Sequence, residues 1–523
     1  MPRRIKPVPP PPPPPPPATG LTILDPVTRL EGHLKLEVQI ENGSVQDARA
    51  SGTLFRGFEN ILIGRDPRDS QHITQRICGV CPVSHSMAAV IALDAAFNVE
   101  ANANARILRN LVMGANLIDS HILHFYHLTL PDFVDMPNMA PWDATMDGLK
   151  KITGSAAEAW VAHYLEALKA RRQAHEMGAI FGGKLPHPPT YVPGGFTTKP
   201  SGEQINRFQT YLSNLITFIG NYYLPDAQAL SQIYPEYFSI GKGYGNLLAF
   251  GCFDQGGELL LKRGRILSGV AGVQTVDVSK IAEHVTYSWY ADSDNNLNPA
   301  TGVTSPIDPA SKESAYSWLK APRYDGKAYE AGPLARMFVT GAYLDWQPTS
   351  ISVMDRHLAR AYETMKVAQA MQTWLGQLQG GQTAYTSCSV PSSATAFGLT
   401  EAPRGALGHW LQITNGKISR YQVITPTCWN ASPRDTSGLM GPIERALIDT
   451  PVQDATRPIE VLRVIHSFDP CLACAVHVMK PGQGKKVFAI PHFHGGEEIH
   501  THEHGHGHEH CHHGNGHYHD HGP

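Results

Sequence analysis

Cysteine is scarce in this chain, with eight among 523 residues, and that scarcity excludes a disulfide framework as the source of its stability. Charge is scarce too. Charged residues make up 17% of the chain, 43 basic against 46 acidic, for a net of -3. No basic surface for nucleic acid is therefore expected. No run of about 18 apolar residues is free of charges and strong breakers, so no transmembrane helix is expected. What is present suits a soluble globular chain with a large buried core: 42% of the residues are hydrophobic. Length alone suggests two to four domains.

Proline is concentrated at one end. Residues 1–20 carry Arg3 and Arg4 and then an almost unbroken proline tract. A twin arginine suggests an export signal, but proline occupies the place of the apolar stretch such a signal needs. The segment reads as an extended, disordered polyproline arm. The compartment stays open: cytoplasmic or membrane-associated, with export only by way of a signal on a partner. At the other end, residues 478–523 hold 13 of the 27 histidines, mostly in His-x-His steps, together with Cys511. Two readings stand for this segment. It is a solubilising disordered tail, or clustered imidazoles bind nickel or another divalent metal.

Ordered structure is expected from about Leu21. Leu34, Leu36, Val38 and Ile40 alternate with polar residues, Asn42-Gly43 follows, and 45–50 returns, which predicts a β-hairpin. Helices are predicted over 86–97, 101–127, 155–180, 204–223 and 355–378, several of them over 20 residues with wide apolar faces. Such helices pack as a central bundle. The Gly- and Pro-rich stretches 182–195 and 287–333 read as irregular or β-containing excursions. The fold class expected is α+β, mainly helical: a long-helix bundle with an N-terminal antiparallel hairpin and peripheral excursions. There is no internal repeat.

Four cysteines form two C-x-x-C pairs: Cys78 and Cys81 in Arg76-Ile77-Cys78-Gly79-Val80-Cys81-Pro82, and Cys471 and Cys474 in Asp469-Pro470-Cys471-Leu472-Ala473-Cys474. Four thiolates suit a soft or borderline metal. The pairs are separated by 389 residues, whereas a structural zinc site usually closes a local loop. Spacing alone leaves zinc, an iron–sulfur cluster and a catalytic metal all open.

Both pairs, with His85 and His477 four and three residues downstream, resemble the signature motifs of nickel–iron hydrogenase large subunits. The resemblance extends between them. It includes Thr28-Arg29-Leu30-Glu31-Gly32-His33, Gly52 to Glu59, Gly64 to Asp69, Phe181 to Lys184, Pro186 to Pro188 and Val192 to Gly195. It also includes Glu401 to Gly405 and Pro426 to Asn430. Together these blocks are far more specific than any one of them.

The resemblance implies a catalytic domain over 21–477 that cleaves hydrogen reversibly and heterolytically, in the direction of hydrogen uptake. Cys78 and Cys471 would be terminal nickel ligands, and Cys81 and Cys474 would bridge nickel to an iron carrying cyanide and carbon monoxide. Glu31 would relay the proton. Arg404 and Thr427 would donate to the cyanides. His85 would donate to a bridging sulfur, and Asp469 would orient Arg404 or its own motif. Glu59, His477 and the carbonyl of Val423 would hold magnesium. A maturation protease would cut between His477 and Val478 once nickel-insertion factors had acted.

Cys252, Cys388, Cys428 and Cys511 are scattered and cannot readily hold a cluster relay. Electrons would therefore leave through an iron–sulfur small subunit, toward a membrane cytochrome or another acceptor. Ser120 departs from the family pattern, which often has aspartate there, and no role is carried over to it. Three rivals remain: a hydrogen-sensing relative, a relative of the quinone-site subunit of respiratory complex I, and a nickel store. The complex I relatives lack the full cysteine set, and a store has no need of so many enzyme motifs.

Overall fold

Alternation builds the N-terminal sheet. Leu34, Leu36, Val38 and Ile40 are fully buried, while Lys35, Glu37 and Gln39 between them are half-buried. Asn42 and Gly43 both take positive φ, 50° and 75°, as a tight two-residue hairpin turn requires. The return strand is Ser44–Gly52. In this computed structural model, which describes residues 19–136, 149–341 and 351–475, the expected hairpin gains a third antiparallel strand. Gly20–Leu24 pairs along the free edge of Leu34–Glu41, with Leu24 opposite Leu36.

The helical bundle forms around Ala103–Ile122. Eighteen of its 20 residues are buried, and a helix buried on all sides belongs at the centre. The Asn102 side chain caps it by accepting from the Ala105 N–H, and the helices Ser155–Gly182 and Val353–Gln377 pack against it. Close crossing needs a small residue. A Cβ on Gly114 would sit 2.5 Å from Met371 Sδ. Two of the predicted helices prove to be composite. The α-helical stretches end at Ile122 and Phe218 and continue through wider π-helical turns, Leu123–Thr129 and Ile219–Tyr223. The apolar pattern stays helical across both junctions, so it gave no sign of the change. No helix of the described residues is long and apolar enough to cross a membrane.

A three-stranded antiparallel meander, Ser393–Ala402, Gly405–Thr414 and Lys417–Ile424, was not predicted. Its central strand is buried at all but two positions, so alternation is missing from its sequence. The helix Pro82–Phe97 lies against it so closely that a Cβ on Gly398 would fall 2.1 Å from the Ala88 carbonyl oxygen. Meander and helix together enclose a smaller apolar cluster, distinct from the main core, and Cys78, Cys81 and Cys471 belong to it.

Glu444 joins the first sheet to the last third of the chain. It is fully buried and accepts from the Ala50 N–H (3.0 Å) and the Tyr316 hydroxyl (2.8 Å). Burial outweighs these bonds and pushes its carboxyl from 4.5 up to about 7. The folded chain therefore holds this proton more tightly than the unfolded chain. The stability that follows is fully present below about pH 4.5 and is lost as pH rises toward 7. Glu444→Gln removes the titration. Its unfolding free energy should gain on that of the native chain by up to about 3 kcal/mol between pH 4.5 and 7.5. Urea unfolding across that range tests this; parallel profiles for the two chains refute it.

Candidate metal centre

The first cysteine loop is prepared by its neighbours. A 3-10 turn over Gln75–Ile77 leads into extended backbone at Cys78. Cys81 then stands at the N-terminus of the helix Pro82–Phe97, with proline at its first position. The N–H groups of Val80 and Cys81 point at Cys78 Sγ from 3.2 and 3.4 Å. Backbone donors of this kind, and the positive end of a helix, suit anionic sulfur.

The second loop arrives from the far end of the chain. Asp469 takes positive φ, 55°, and turns the backbone so that Cys471 lies alongside Glu31. The Leu472 N–H donates to the Glu31 carbonyl at 2.6 Å, and the Cys471 N–H donates to Thr427 Oγ1 at 2.9 Å. Gly32 makes this approach possible. Its φ is +85°, and a Cβ there would fall 2.4 Å from the Ala473 nitrogen. The Thr28 to His33 block is itself anchored to the bundle. Arg29 pairs with Asp132, His466 Nδ1 meets Asp132 at 2.6 Å, and His466 Nε2 donates to the Thr28 carbonyl at 2.9 Å.

The result is a convergence of sulfur. Cys78 Sγ and Cys471 Sγ are 3.3 Å apart, and the sulfurs of Cys78, Cys81 and Cys471 all lie within 4.8 Å of one another, buried. Soft donors this close, in an apolar setting, match a soft or borderline metal. The Cys474 side chain, His477 and Val478 lie outside the described residues.

Arg404 faces the sulfurs from the meander. It sits with Pro403 in the two-residue turn between Ala402 and Gly405. Its Nη2 is 3.0 Å from Asp469 Oδ1, and its Nη1 donates to Ser120 Oγ at 3.5 Å. Arg404 Nε is buried with no hydrogen-bond partner among the described residues, a free donor of the kind an anionic metal ligand accepts. Burial opposes its charge, but Asp469 and the thiolates of Cys471, Cys81 and Cys78 overcome that and hold it cationic. The structure thus brings Asp469 and Arg404 together as an ion pair.

The turn has its own support, in a residue that sequence reasoning missed. Arg336 is fully buried and donates to the carbonyls of Ala402 and Pro403, each at 2.9 Å. It also pairs with Glu401 (2.8 Å) and Glu363 (2.5 Å). A single arginine in a helical stretch carries no sequence signal for such a role. Arg56, in the quoted Gly52 to Glu59 block, was also passed over, although it hydrogen-bonds to both cysteine segments.

Glu31 is half-buried. Burial raises its carboxyl pKa, the Cys78 charge raises it further, and Arg404 and Arg56 work the other way. His85 is fully buried, and desolvation lowers its pKa to about 4, which keeps it neutral. Its Nδ1 is 3.2 Å from His409 Nε2, while its Nε2 has no hydrogen-bond partner among the described residues. Glu59 stands apart from the sulfurs. It accepts from the Val423 N–H at 2.9 Å and from the Thr304 hydroxyl, so the sequence-predicted pair of Glu59 and Val423 is brought together.

Comparison with known proteins bears directly on this arrangement. The sequence profile of the nickel-dependent hydrogenases matches residues 56–157 and 148–477, and a HoxL-like profile matches 22–51. The chain belongs to the nickel-dependent hydrogenase family. Among relatives, the periplasmic NiFeSe hydrogenase large subunit of Desulfomicrobium baculatum is 42% identical, over 88% of this chain and 96% of its own. The uptake hydrogenase large subunit of Rhizobium leguminosarum is 34% identical, over 88% and 95%. The solved Ni-Fe-Se hydrogenase of D. vulgaris Hildenborough in its reduced state superposes with a TM-score of 0.85 at 42% identity, over 88% of this chain and 100% of that one. This hydrogenase chain is thus an oxidoreductase large subunit acting on hydrogen, and its cysteine cluster fits a nickel–iron centre. Large subunits of this family pair with a small subunit.

Gly32→Ala tests the close approach that completes the hydrogenase cluster. Backbone faces backbone there, so the Cys471 segment must shift. Nickel per purified chain is expected to fall several-fold while helical circular dichroism stays unchanged. Full nickel occupancy in the variant would show that the approach is not needed.

Proposed function

We propose that this chain cleaves hydrogen heterolytically to protons and electrons in the uptake direction, with the 21–477 region acting as one catalytic domain. The observation that carries this reading is the buried convergence of three cysteine sulfurs within 4.8 Å, flanked by a carboxyl and a guanidinium. Cys78, Cys81, Cys471 and Cys474 would hold nickel and an iron that carries cyanide and carbon monoxide. That group, when bound, supplies the electrophilic and redox chemistry that splits hydrogen.

The chain's own residues then have separable tasks. Glu31 takes the proton from the sulfur side and passes it outward, and a raised carboxyl pKa brings it closer to thiol basicity. Arg404 Nε, which has no hydrogen-bond partner among the described residues, would donate to a diatomic ligand of that group. Thr427 Oγ1 already accepts from the Cys471 N–H, which leaves its own hydroxyl hydrogen to donate to the other cyanide. His85 Nε2 would donate to one of the cysteine sulfurs that hold the group. Among the described residues no second group of metal-binding side chains converges, which supports electron exit through iron–sulfur clusters of the small subunit, toward a membrane cytochrome or another acceptor.

A magnesium ion at Glu59, the Val423 carbonyl and His477 is favoured by a local charge deficit. Glu59, Glu283 and Asp294 are all buried, and their charges act on Lys320, the one buried ammonium among the described residues. Lys320 lies 3.7 Å from Glu283. Burial pushes Glu283 up to about 7, with Lys320 opposing and Glu59 adding to the rise. A divalent cation would balance the excess carboxylate charge.

Two outcomes test the reading. Glu31→Gln keeps the shape but cannot relay a proton at neutral pH. Metal content should stay near normal, while hydrogen turnover and hydrogen–deuterium exchange with solvent fall by at least about 10²-fold. Unchanged exchange assigns the proton to another group. The second outcome concerns maturation by a dedicated protease after nickel-insertion factors have acted. The Cys471 segment is drawn into a buried site, where a polar extension of 46 residues could follow only at large desolvation cost. Intact-mass measurement of active enzyme should find the chain ending at His477. An active chain that still carries Val478 onward refutes processing.

A further inference from the structure

The two segments that supply the cysteines lie 393 positions apart, measured from Cys78 to Cys471, and the Arg56 side chain reaches both. Arg56 Nη1 donates to the Arg76 carbonyl at 3.1 Å. Its Nη2 donates to the carbonyls of Ile77 and Ala473. Ile77 immediately precedes Cys78, and Ala473 lies between Cys471 and Cys474. The guanidinium rests over the Phe58 ring, 4.9 Å from its centroid, which fixes the plane of the fork. By contrast, the Leu472 N–H runs to Glu31 and the Cys471 N–H to Thr427. Those two bonds dock the second loop onto the connection between the strands Gly20–Leu24 and Leu34–Glu41 and onto the Pro426–Asn430 helix, not onto the first loop.

We propose that Arg56 is a positioning residue that sets the spacing of the two cysteine segments, so that their sulfurs meet at metal-binding distance before any metal arrives. The proposal rests on the reading of the cysteines as metal ligands. Its physical basis is geometric and electrostatic. Sulfurs 3.3 Å apart repel once ionised, so the metal-free site needs an external hold. Charge-assisted bonds to main-chain carbonyls supply one, and their cation sits beside the sulfurs. Three carbonyls arranged around one plane require a rigid fork. An ammonium is a compact point charge on a flexible stem and cannot reproduce that pattern. Because these acceptors are main-chain carbonyls of the two cysteine segments, Arg56 fixes the backbone from which the sulfurs project.

The experiment uses the full chain, metal-free, with Co²⁺ as the probe. Sulfur-to-cobalt charge-transfer absorption reports thiolate ligation and imidazole gives no such band; every chain compared carries Cys511→Ser, which removes the one cysteine of the histidine tail, so the tail stays silent. Arg56→Met removes the fork and the charge; Arg56→Lys keeps charge and stem and removes only the fork. Both variants should bind Co²⁺ at the thiolate band at least about tenfold more weakly, the scale of losing charge-assisted bonds. In both, amide hydrogen exchange at Cys471 and Leu472 should quicken by about tenfold or more, with Ala103–Ile122 unchanged as the internal control of folding. If Arg56→Met fails to fold, Arg56→Lys alone carries the test. A lysine variant with native cobalt affinity and native protection at Leu472 overturns the proposal. Absence of any sulfur-to-cobalt band in the chain that keeps Arg56 instead overturns the metal-centre reading beneath it.

Discussion

The site depends on one main-chain hydrogen bond, from the Leu472 N–H to the Glu31 carbonyl at 2.6 Å. It closes the chain on itself by docking the last described segment beside the first sheet, and Cys471 enters the site on that segment. Every neighbouring feature serves this pairing. Gly32 lacks the Cβ that would block it, Thr427 receives the adjacent N–H, and the Arg29, Asp132 and His466 contacts hold the receiving segment, between the first two strands, against the bundle. The bundle contributes rigidity: the buried Ala103–Ile122 helix packs against the Pro82–Phe97 helix that follows the first cysteine pair.

Around that junction the balance of charge decides what the interior tolerates. Thiolates, carboxylates and guanidiniums gathered out of water are each costly alone and acceptable only when paired. Arg404 meets Asp469 and the sulfurs. Arg336 meets Glu363 and Glu401 and, through the carbonyls of Ala402 and Pro403, holds the turn that carries Arg404. Ser120 offers Arg404 a neutral hydroxyl at 3.5 Å. The guanidinium pairs with Asp469 on one side, and its Nε has no hydrogen-bond partner among the described residues.

What could be read from the sequence follows the same physics. The hairpin at 34–50 was legible because one face is wet and one dry. The meander at 393–424 was not, because its central strand is dry on both. Long helices announced themselves by apolar spacing, but their π-helical turns kept that spacing and stayed hidden. The cysteine pairs stood out by residue type and interval, and Asp469 and Arg404 followed from the family resemblance and are found as an ion pair. Arg56 and Arg336 act through carbonyl groups, which every residue possesses, so nothing in the sequence marks what they hold. Of the residues expected to hold magnesium, Glu59 accepts from the Val423 N–H, while His477, like the Cys474 side chain, falls outside the described residues.

The distance along the chain between the two cysteine pairs also has a consequence in time. A ribosome adds about 5–20 residues per second, so the 389 residues between Cys81 and Cys471 take roughly 20 to 80 s to synthesise. For that interval Cys78 and Cys81 have emerged without their counterparts, as a bare dithiol able to bind stray metal or to oxidise. A centre assembled from both ends of a polypeptide cannot be loaded during translation, and its first half must be kept reduced and empty until the last segment is made.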